Sequence, residues 1–172
     1  MNENLSVREM QLQDIDPVAD YFLNADNTFL TNMGVIREKI PPKEEWHKIL
    51  SEQISKPYGE KQSYFIIWQV DDKPVGHSNA NKIIFGEEAY MHLHIWNAAG
   101  RRKGIGTEFV RRTIPYYFQN LQLKKLFCEP NAFNAAPNKT LEKAGFQFVK
   151  NHVTTPGWLN FEQSCNLWEL KP

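Results

Sequence analysis

The sequence has few cysteines and no excess of charge of either sign. Its 172 residues include two cysteines, Cys128 and Cys165, which are widely spaced and do not form a metal-ligand pattern. Twenty basic residues balance twenty acidic residues, so the overall charge does not indicate nucleic-acid binding. We therefore predict two reduced thiols, no metal ion and no nucleic-acid partner.

Long apolar runs are also missing. No stretch approaches the length that spans a membrane, and residues 1–10 lack the pattern of a signal peptide. The chain shows no internal repeat, low-complexity tract or evident linker. These absences predict a single domain over residues 1–172, with no membrane partner and a cytoplasmic location.

The glycine spacing around residue 104 excludes two familiar phosphate-binding motifs. A P-loop counted from Gly100 needs a second glycine at the position of Ile105. A dinucleotide-binding fingerprint counted from Gly104 needs a glycine at the position of Phe109. Neither motif is present, so any phosphate site here follows another pattern.

The chain does carry a basic turn between a predicted strand and a predicted helix. Residues 90–96 are aromatic and aliphatic with two interleaved histidines, which is typical of a strand, and apolar residues recur at helical spacing from Thr107. Between them, Arg101, Gly104 and Gly106 form the pattern R-x-x-G-x-G. Unpaired backbone N–H groups and the helix dipole favour an anion there, and glycine permits close approach. The turn therefore predicts a phosphate site.

Other predicted elements flank this turn on both sides. The periodicity predicts a strand at 5–10, helices at 14–24 and 42–54, and strands at 63–70, 75–85 and 90–96. A helix follows at 107–120, then a strand at 123–128, a helix from Pro137 that ends before Gly145, and strands at 147–153 and 164–170. Residues 71–74 are predicted as a hairpin turn and residues 25–34 as a polar connection between helices.

Two blocks of the sequence resemble the GNAT superfamily of N-acetyltransferases. The basic turn resembles the loop that binds the pyrophosphate of acyl-CoA in that family. A second block resembles its asparagine-to-glycine-phenylalanine segment through Asn134, Leu141, Glu142, Lys143, Gly145 and Phe146. The Leu-Glu-Lys sequence in this segment is similar to that of the branch that contains the N-terminal acetyltransferases of ribosomal proteins.

The resemblance implies an α/β (α+β) GNAT fold, with a central mixed, mostly antiparallel twisted sheet of about seven strands flanked by about four helices. It also implies an N-acetyltransferase that moves the acetyl group of acetyl-CoA, its co-substrate, to a primary amine by direct attack in a ternary complex. The alternative is a non-catalytic acyl-CoA-binding module of the same fold. The acceptor would be a small-molecule or peptide amine, and a homodimer is left open.

For acetyl-CoA, the resemblance implies a gap between residues 93–96 and residues 127–129, where the pantetheine arm inserts. Backbone N–H groups near residues 94–96 would then serve the thioester oxygen. Asn134 would hydrogen-bond the pantetheine or cap the following helix. The predicted cofactor-binding residues are Ile95, Trp96, Arg101, Arg102, Lys103, Gly104, Ile105, Gly106, Thr107 and Asn134.

Three side chains are candidate general bases: His94, His92 and Glu129. Strand alternation predicts that Tyr90 and Trp96 share a face with both histidines, opposite Met91, Leu93 and Ile95. If one of these histidines is the base and its pKa is unperturbed, the rate should rise with pH near 6.5. The alternative is that each histidine is structural and packs beside the aromatic residues.

The sequence departs from the family at Leu141, where many members carry a tyrosine that protonates the leaving thiolate. Leucine cannot donate a proton. Tyr90 or another hydroxyl would have to substitute, or the thiolate leaves unassisted, or catalysis is slow or absent. We expect Leu141 to face the sulfur end of the channel. The candidate acceptor-pocket residues are Asp26, Phe29 and Met33.

Overall fold

The computed structural model describes residues 2–97 and 104–172. Across these residues the chain forms five α-helices: α1 (Ile15–Leu23), α2 (Asn27–Asn32), α3 (Lys43–Ser55), α4 (Ile105–Asn120) and α5 (Ala135–Lys143). The seven strands are β1 (Leu5–Glu9), β2 (Tyr64–Val70), β3 (Lys73–Ile84), β4 (Glu88–Ile95), β5 (Lys125–Cys128), β6 (Gln147–Thr154) and β7 (Gln163–Leu170). No helix within the described ranges is both long and apolar enough to cross a bilayer.

The strands form one mixed sheet in the order β1-β2-β3-β4-β5-β7-β6. Neighbouring strands run antiparallel except β4 and β5, which run parallel. This arrangement confirms the predicted fold class, a seven-stranded and mostly antiparallel sheet.

Helices cover both faces of the sheet because strand side chains alternate between the two faces. On β2, Ile66 and Trp68 pack into a core with residues of α4 and α5. The intervening Ile67 packs into a second core with residues of α1, α2 and α3. The two apolar layers hold the sheet between the N-terminal helices and the pair α4 and α5.

The region between α1 and α3 contains a helix that the sequence pattern did not predict. Residues 25–34 were expected to be a polar connection, but they include α2, so the described part of the chain has five helices where about four were expected. Asp26 caps α2, since its carboxylate accepts a hydrogen bond from Phe29 N at 2.7 Å. Only Leu30 of this helix is buried, so α2 is too short and too polar to show an apolar period.

The turn between β2 and β3 is tighter than predicted. Asp71 and Asp72 have φ values of +48° and +63°, as a two-residue type I′ hairpin requires. Lys73 and Pro74, expected in the turn, already pair with β2. The hairpin itself is confirmed, and β3 begins two positions earlier than the pattern indicated.

The two central strands separate partway along their length. β4 pairs with β5 at Glu88–Lys125, Ala89–Leu126 and Tyr90–Phe127, and then continues to Ile95. β5 ends at Cys128 and pairs on its other side with β7. The expected gap between the central strands is therefore present.

The two cysteines are free and buried. Burial raises the pKa of the Cys128 thiol and raises that of Cys165 to about 11. Both are therefore protonated thiols at neutral pH, as predicted.

Candidate functional site

Three neighbouring cavities meet at His94. The gap cavity, about 100 Å³, lies between β4 and the residues that follow β5. The channel, about 530 Å³, lies between β4 and α5 and reaches the start of α4. The acceptor cavity, about 290 Å³, lies between the sheet and the N-terminal helices. Because His94 lines all three, a ligand in each cavity would approach the same side chain.

The channel begins at the first turn of α4. Gly104 has φ +87°, a conformation that disfavours residues with a Cβ, and it occupies the N-cap position of the helix. A Cβ on Gly106 would lie 3.8 Å from Thr140 Oγ1 and 3.9 Å from Ile95 Cδ1, across the channel. Thr107 also lines the channel. The start of α4 thus presents backbone to the channel.

The other predicted residues of this turn fall into two groups. Arg101, Arg102 and Lys103 lie outside the described residues. The side chain of Ile105 is buried in the core, so only its backbone could contact a ligand in the channel.

Asn134 lies at the junction of the channel and the gap cavity, and it lines both. It occupies the N-cap position of α5, but its side chain makes no capping hydrogen bond within the described structure. The capping alternative is therefore not used, and the carboxamide faces the two cavities.

The backbone of β4 turns alternate residues towards the gap. Trp96 N donates to Val75 O at 2.9 Å, and β3 pairs with β4 without a register shift from Gly76–Ile95 to Asn81–Tyr90. In an antiparallel pair, the N–H and C=O groups of alternate residues point to the partner strand, and those of the residues between them point away from it. Leu93 and Ile95 face the gap by this alternation, and His94 and Trp96 face β3.

Trp96 is therefore a correction to the predicted set. Its amide is bonded to β3, and its indole Nε1 donates to His77 Nδ1 at 2.8 Å. Neither group is available to the channel. Leu93 instead lies beside Ile95 on the gap-facing edge of β4. The prediction placed Leu93 in the gap but did not assign it as a ligand-binding residue.

Three histidines lie on the acceptor side of the sheet, and the sequence interpretation missed His77. It pairs with His94 across β3 and β4, and their rings stack at 4.7 Å. His77 is 0% exposed, whereas His92 and His94 are half-buried. The alternation predicted for β4 is confirmed, since His92 and His94 line the acceptor cavity while Met91 packs in the opposite core.

The environment keeps these histidines neutral. Burial lowers the pKa of His77 to about 3, with a further contribution from His92. Burial and the nearby Lys82 ammonium lower the pKa of His92 to about 4. Burial and the other two histidines hold the pKa of His94 well below its ordinary value. The expected rate increase near pH 6.5 therefore cannot come from His92 or His94, because both are neutral there.

Tyr21 of α1 is a second residue that the sequence interpretation missed. Its hydroxyl lies 3.2 Å from His94 Nδ1 and 3.1 Å from Met33 Sδ, and its side chain lines the channel. Phe29 and Met33, two of the predicted acceptor-pocket residues, also line the channel, whereas Asp26 caps α2. Helical periodicity marks the buried neighbours of Tyr21 but does not distinguish a hydroxyl aimed at a cavity.

Glu129 follows β5 and lines the gap cavity. His152 Nε2 lies 3.0 Å from its Oε2, and Lys82 Nζ lies 3.5 Å from its Oε1. Both carboxylate oxygens therefore have polar partners, which leaves Glu129 less available as a base than His94.

Leu141 does not face the channel, contrary to our expectation. It is 0% exposed and packs in the core on the α4 side. The α5 positions that line the channel are Ala136, Pro137, Lys139, Thr140 and Lys143. Leu141 therefore does not reach the sulfur end of any ligand in the channel.

Tyr90 was the other hydroxyl considered in place of the family tyrosine. Its ring stacks on Phe127 at 5.0 Å, and Lys82 Nζ lies 5.0 Å from the ring centroid. Burial and then Glu129 raise the pKa of its hydroxyl. Among the described residues, those lining the three cavities include Tyr21 but not Tyr90.

The acceptor cavity has aromatic walls and an amide-rich end. Phe22, Trp46, Phe65 and Trp158 contribute rings, and Asn79 and Asn81 contribute carboxamides beside the three histidines. His92 Nε2 lies 3.1 Å from Asn81 Oδ1, so this nitrogen carries the ring hydrogen. Among residues 2–97 and 104–172, no group of three or more histidine, cysteine or acidic side chains could hold a metal ion.

Comparison with known proteins agrees with this geometry. A family model described as Acetyltransferase (GNAT) domain matches residues 4–147. Among curated proteins, none matches the sequence. Several solved structures share the fold.

One is RimL, the ribosomal L7/L12 α-N-protein acetyltransferase in complex with coenzyme A. It is 14% identical, with 97% of this chain and 93% of that chain covered and a TM-score of 0.77. Spermidine N-acetyltransferase from Vibrio cholerae, in complex with CoA and spermine, is 15% identical over 97% and 95% of the chains, with a TM-score of 0.77. Ribosomal-protein-S5-alanine acetyltransferase from Vibrio fischeri is 17% identical over 99% and 94%, with a TM-score of 0.79. Identities this low show a shared fold alone.

Proposed function

The chain belongs to the GNAT acetyltransferase family, and on that premise we propose that it transfers the acetyl group of acetyl-CoA to a primary amine. The observation that carries the proposal is the meeting of the channel and the acceptor cavity at His94. A thioester delivered through the channel and an amine delivered through the acceptor cavity would meet at this side chain. Holding the two reactants side by side converts a bimolecular reaction into an effectively unimolecular one, which is much faster.

The channel supplies the groups that would hold acetyl-CoA. The N-terminus of α4 would bind the pyrophosphate through backbone N–H groups, and Gly104 and Gly106 keep that surface free of side chains. Arg101, Arg102 and Lys103, predicted from the sequence, would add positive charge. The pantetheine arm would run along the gap-facing edge of β4 to the carboxamide of Asn134. Related structures of this fold contain CoA or acetyl-CoA, which supports this assignment.

The reaction would proceed by direct attack within a ternary complex. The amine nitrogen attacks the thioester carbonyl carbon, and the carbonyl oxygen gains negative charge. Backbone N–H groups on the gap-facing edge of β4, at Leu93 or Ile95, would stabilise that charge, a contribution of about 100- to 1000-fold in rate. The C–S bond then breaks, the thiolate leaves, and the nitrogen loses a proton.

His94 is our first choice for the base, followed by His92 and Glu129. His94 is neutral at physiological pH, so it can accept a proton directly or through water. Its lowered pKa makes it a weak base. The uncharged acceptor cavity offsets this weakness, because such surroundings also lower the pKa of a bound ammonium group.

Tyr21 is our choice for the acid that protonates the departing thiolate. Its hydroxyl lies in the channel beside His94 and Met33, where the sulfur end of the ligand would lie in this arrangement. A proton that His94 takes from the amine could pass through this contact to the departing thiolate. The hydroxyl has one hydrogen, so it donates to the thiolate only by releasing its present acceptor.

The test is release of free CoA thiol when amines are added to the protein and acetyl-CoA. Binding of acetyl-CoA together with thiol release that depends on the amine supports acetyl transfer. If acetyl-CoA binds but no amine of a broad panel causes release of CoA thiol, the result supports the alternative, a non-catalytic acyl-CoA-binding module. Absence of acetyl-CoA binding contradicts both.

A further inference from the structure

The acceptor cavity contains two buried N–H groups with no acceptor among the described residues. These atoms are Trp46 Nε1 and His77 Nε2, and both side chains line the cavity. Trp46 is 2% exposed and His77 is 0% exposed. A buried polar group without a partner is costly to the fold, so such groups commonly mark a functional site.

Both atoms are donors. The indole nitrogen of Trp46 always carries hydrogen. At His77, Nδ1 accepts a hydrogen bond from Trp96 Nε1 at 2.8 Å, and burial keeps the ring neutral, so Nε2 carries the single ring hydrogen. Each group lacks an acceptor among the described residues, and a ligand in the cavity that both side chains line could supply one.

Flat rings surround these donors. Phe22 stacks on Trp46 with centroids 5.4 Å apart and planes at 10°, and the Trp158 ring lies 6.0 Å from that of Trp46 with planes at 52°. Phe65 stacks on His77 at 5.4 Å. These walls suit a planar apolar group.

The cavity also lacks ionic partners for a cation. Among the described residues that line it, none is an aspartate, glutamate, lysine or arginine. A second ammonium group would therefore lose its hydration without gaining an ion pair. This argues against a polyamine acceptor.

We propose that the acceptor cavity selects a monoamine with a planar apolar body and an oxygen acceptor, as in an aromatic amino-acid amide. The oxygen accepts from Trp46 Nε1, His77 Nε2 or both, the ring lies between the aromatic walls, and the amine points to His94. A free aromatic amide and the N-terminal aromatic residue of a peptide share this chemistry. The inference rests on the proposed acetyl transfer, because it assigns the acceptor of that reaction.

The experiment uses reaction products, so that binding can be measured whether or not turnover occurs. Calorimetry on the whole protein, with and without CoA, would compare N-acetylphenylalaninamide, N-acetylphenethylamine and N-acetylspermidine. The first two share the aromatic ring, and only the first carries the extra carboxamide. We expect the amide to bind about tenfold more tightly than the phenethylamine product, and the spermidine product to bind most weakly.

Two matched variants assign the difference to the donor. Trp46→Phe keeps a ring against Phe22 and removes the N–H, so it should weaken binding of the amide more than binding of the phenethylamine product and abolish most of the amide's advantage. Trp158→Phe makes the same chemical change at a rim residue that is 54% exposed, and it should preserve the advantage. A tripeptide product with N-terminal acetylphenylalanine that binds more tightly than the amide would identify a peptide as the source.

Three results would overturn the inference. They are equal wild-type affinity for the two aromatic products, tighter binding of acetylspermidine, and an unchanged amide advantage in Trp46→Phe. The first two need no variant, so a misfolded Trp46→Phe protein would not rescue the proposal. Thiol release with polyamines alone would also overturn it while leaving acetyl transfer intact. Selective product binding without thiol release from any amine would instead contradict the proposed function.

Discussion

The two ligand regions that meet at His94 are built in different ways. The channel is formed largely by short, local stretches, namely the start of α4, the start of α5 and the edge of β4. The acceptor cavity is assembled from α1, α3, β2, β3, β4 and the loop at 157–159. At the starts of α4 and α5 the channel presents backbone and small residues, which suits a constant ligand such as CoA. The acceptor cavity presents large side chains from distant segments, which suits a ligand that differs between related proteins.

The largest expected effect tests the point where the two regions meet. His94→Gln should lower kcat by about 100- to 10,000-fold if His94 is the base, with little change in acetyl-CoA affinity. His92→Gln is the matched control, and its effect should be smaller because His92 Nε2 is held by Asn81. Single-turnover acetyl transfer measures both. Full activity in the two variants would leave water or the substrate amine as the base.

The next effect tests the channel alone. Gly106→Val should weaken acetyl-CoA binding by about 100-fold, because its side chain would occupy the channel between Thr140 and Ile95. Gly59→Val is a control with similar clearance, since a Cβ there lies 4.0 Å from the Phe85 ring, outside the channel. Calorimetry with acetyl-CoA provides the measurement. An unchanged affinity in a folded Gly106→Val protein would refute the assignment of the channel to CoA.

A smaller effect concerns the proposed acid. Tyr21→Phe should lower kcat by about tenfold and leave acetyl-CoA affinity nearly unchanged, because it removes one hydroxyl and keeps the ring. Tyr90→Phe makes the same change at a residue outside the lining of the channel, and it should have little effect on kcat. If Tyr90→Phe were slower than Tyr21→Phe, Tyr90 rather than Tyr21 would have to be the acid.

The Leu141→Tyr variant tests whether position 141 lies in the core or faces the channel. Because Leu141 is completely buried, the larger side chain should overpack the core and lower the free energy of unfolding by about 1–3 kcal/mol. It should not accelerate acetyl transfer. Chemical denaturation and single-turnover kinetics on the same samples measure both quantities, and a faster enzyme of unchanged stability would show that position 141 reaches the sulfur.

The last effect concerns the pH dependence of folding. The pKa of His77 is about 3 in the folded protein and near 6.5 when unfolded, so between these values only the unfolded chain binds the proton. His77 should therefore lower the free energy of unfolding by about 1.4 kcal/mol for each pH unit below 6.5.

The matched variant is His77→Gln, which retains an acceptor for Trp96 and does not titrate. Its stability should fall less steeply between pH 6 and pH 4 than that of the wild type. Identical slopes for His77→Gln and the wild type would mean that His77 is not held neutral in the folded protein.

The parts of the site that could be predicted are those encoded by residues close together in sequence. The R-x-x-G-x-G turn, the helix after it and the alternation along β4 depend on local spacing, and the helix and the alternation are confirmed. Asn134 and Gly106 were also identified from short patterns, and both line the channel. Their assignment to CoA remains a proposal.

His77 shows why the acceptor side could not be predicted. Ile84 pairs with Glu88 near the turn between β3 and β4, and counting back from that pair would place His77 opposite Ile95. A register shift between Asn81 and Ile84 instead places it opposite His94. One extra residue in a strand changes which side chains face each other, and the sequence pattern carries no sign of it.

The sequence by itself determined the order of the seven strands and of the helices other than α2 among the described residues, the family and the glycine-rich start of α4, because these follow from local periodicity and short-range spacing. Tertiary structure decided that Leu141 lies in the core, that Tyr21 reaches His94, and that Trp46 and His77, each with a buried ring nitrogen that has no partner among the described residues, line one cavity. These contacts join segments far apart in the chain, and they depend on strand register and helix rotation. Both are set by the packing of the whole core, so no local pattern contains them.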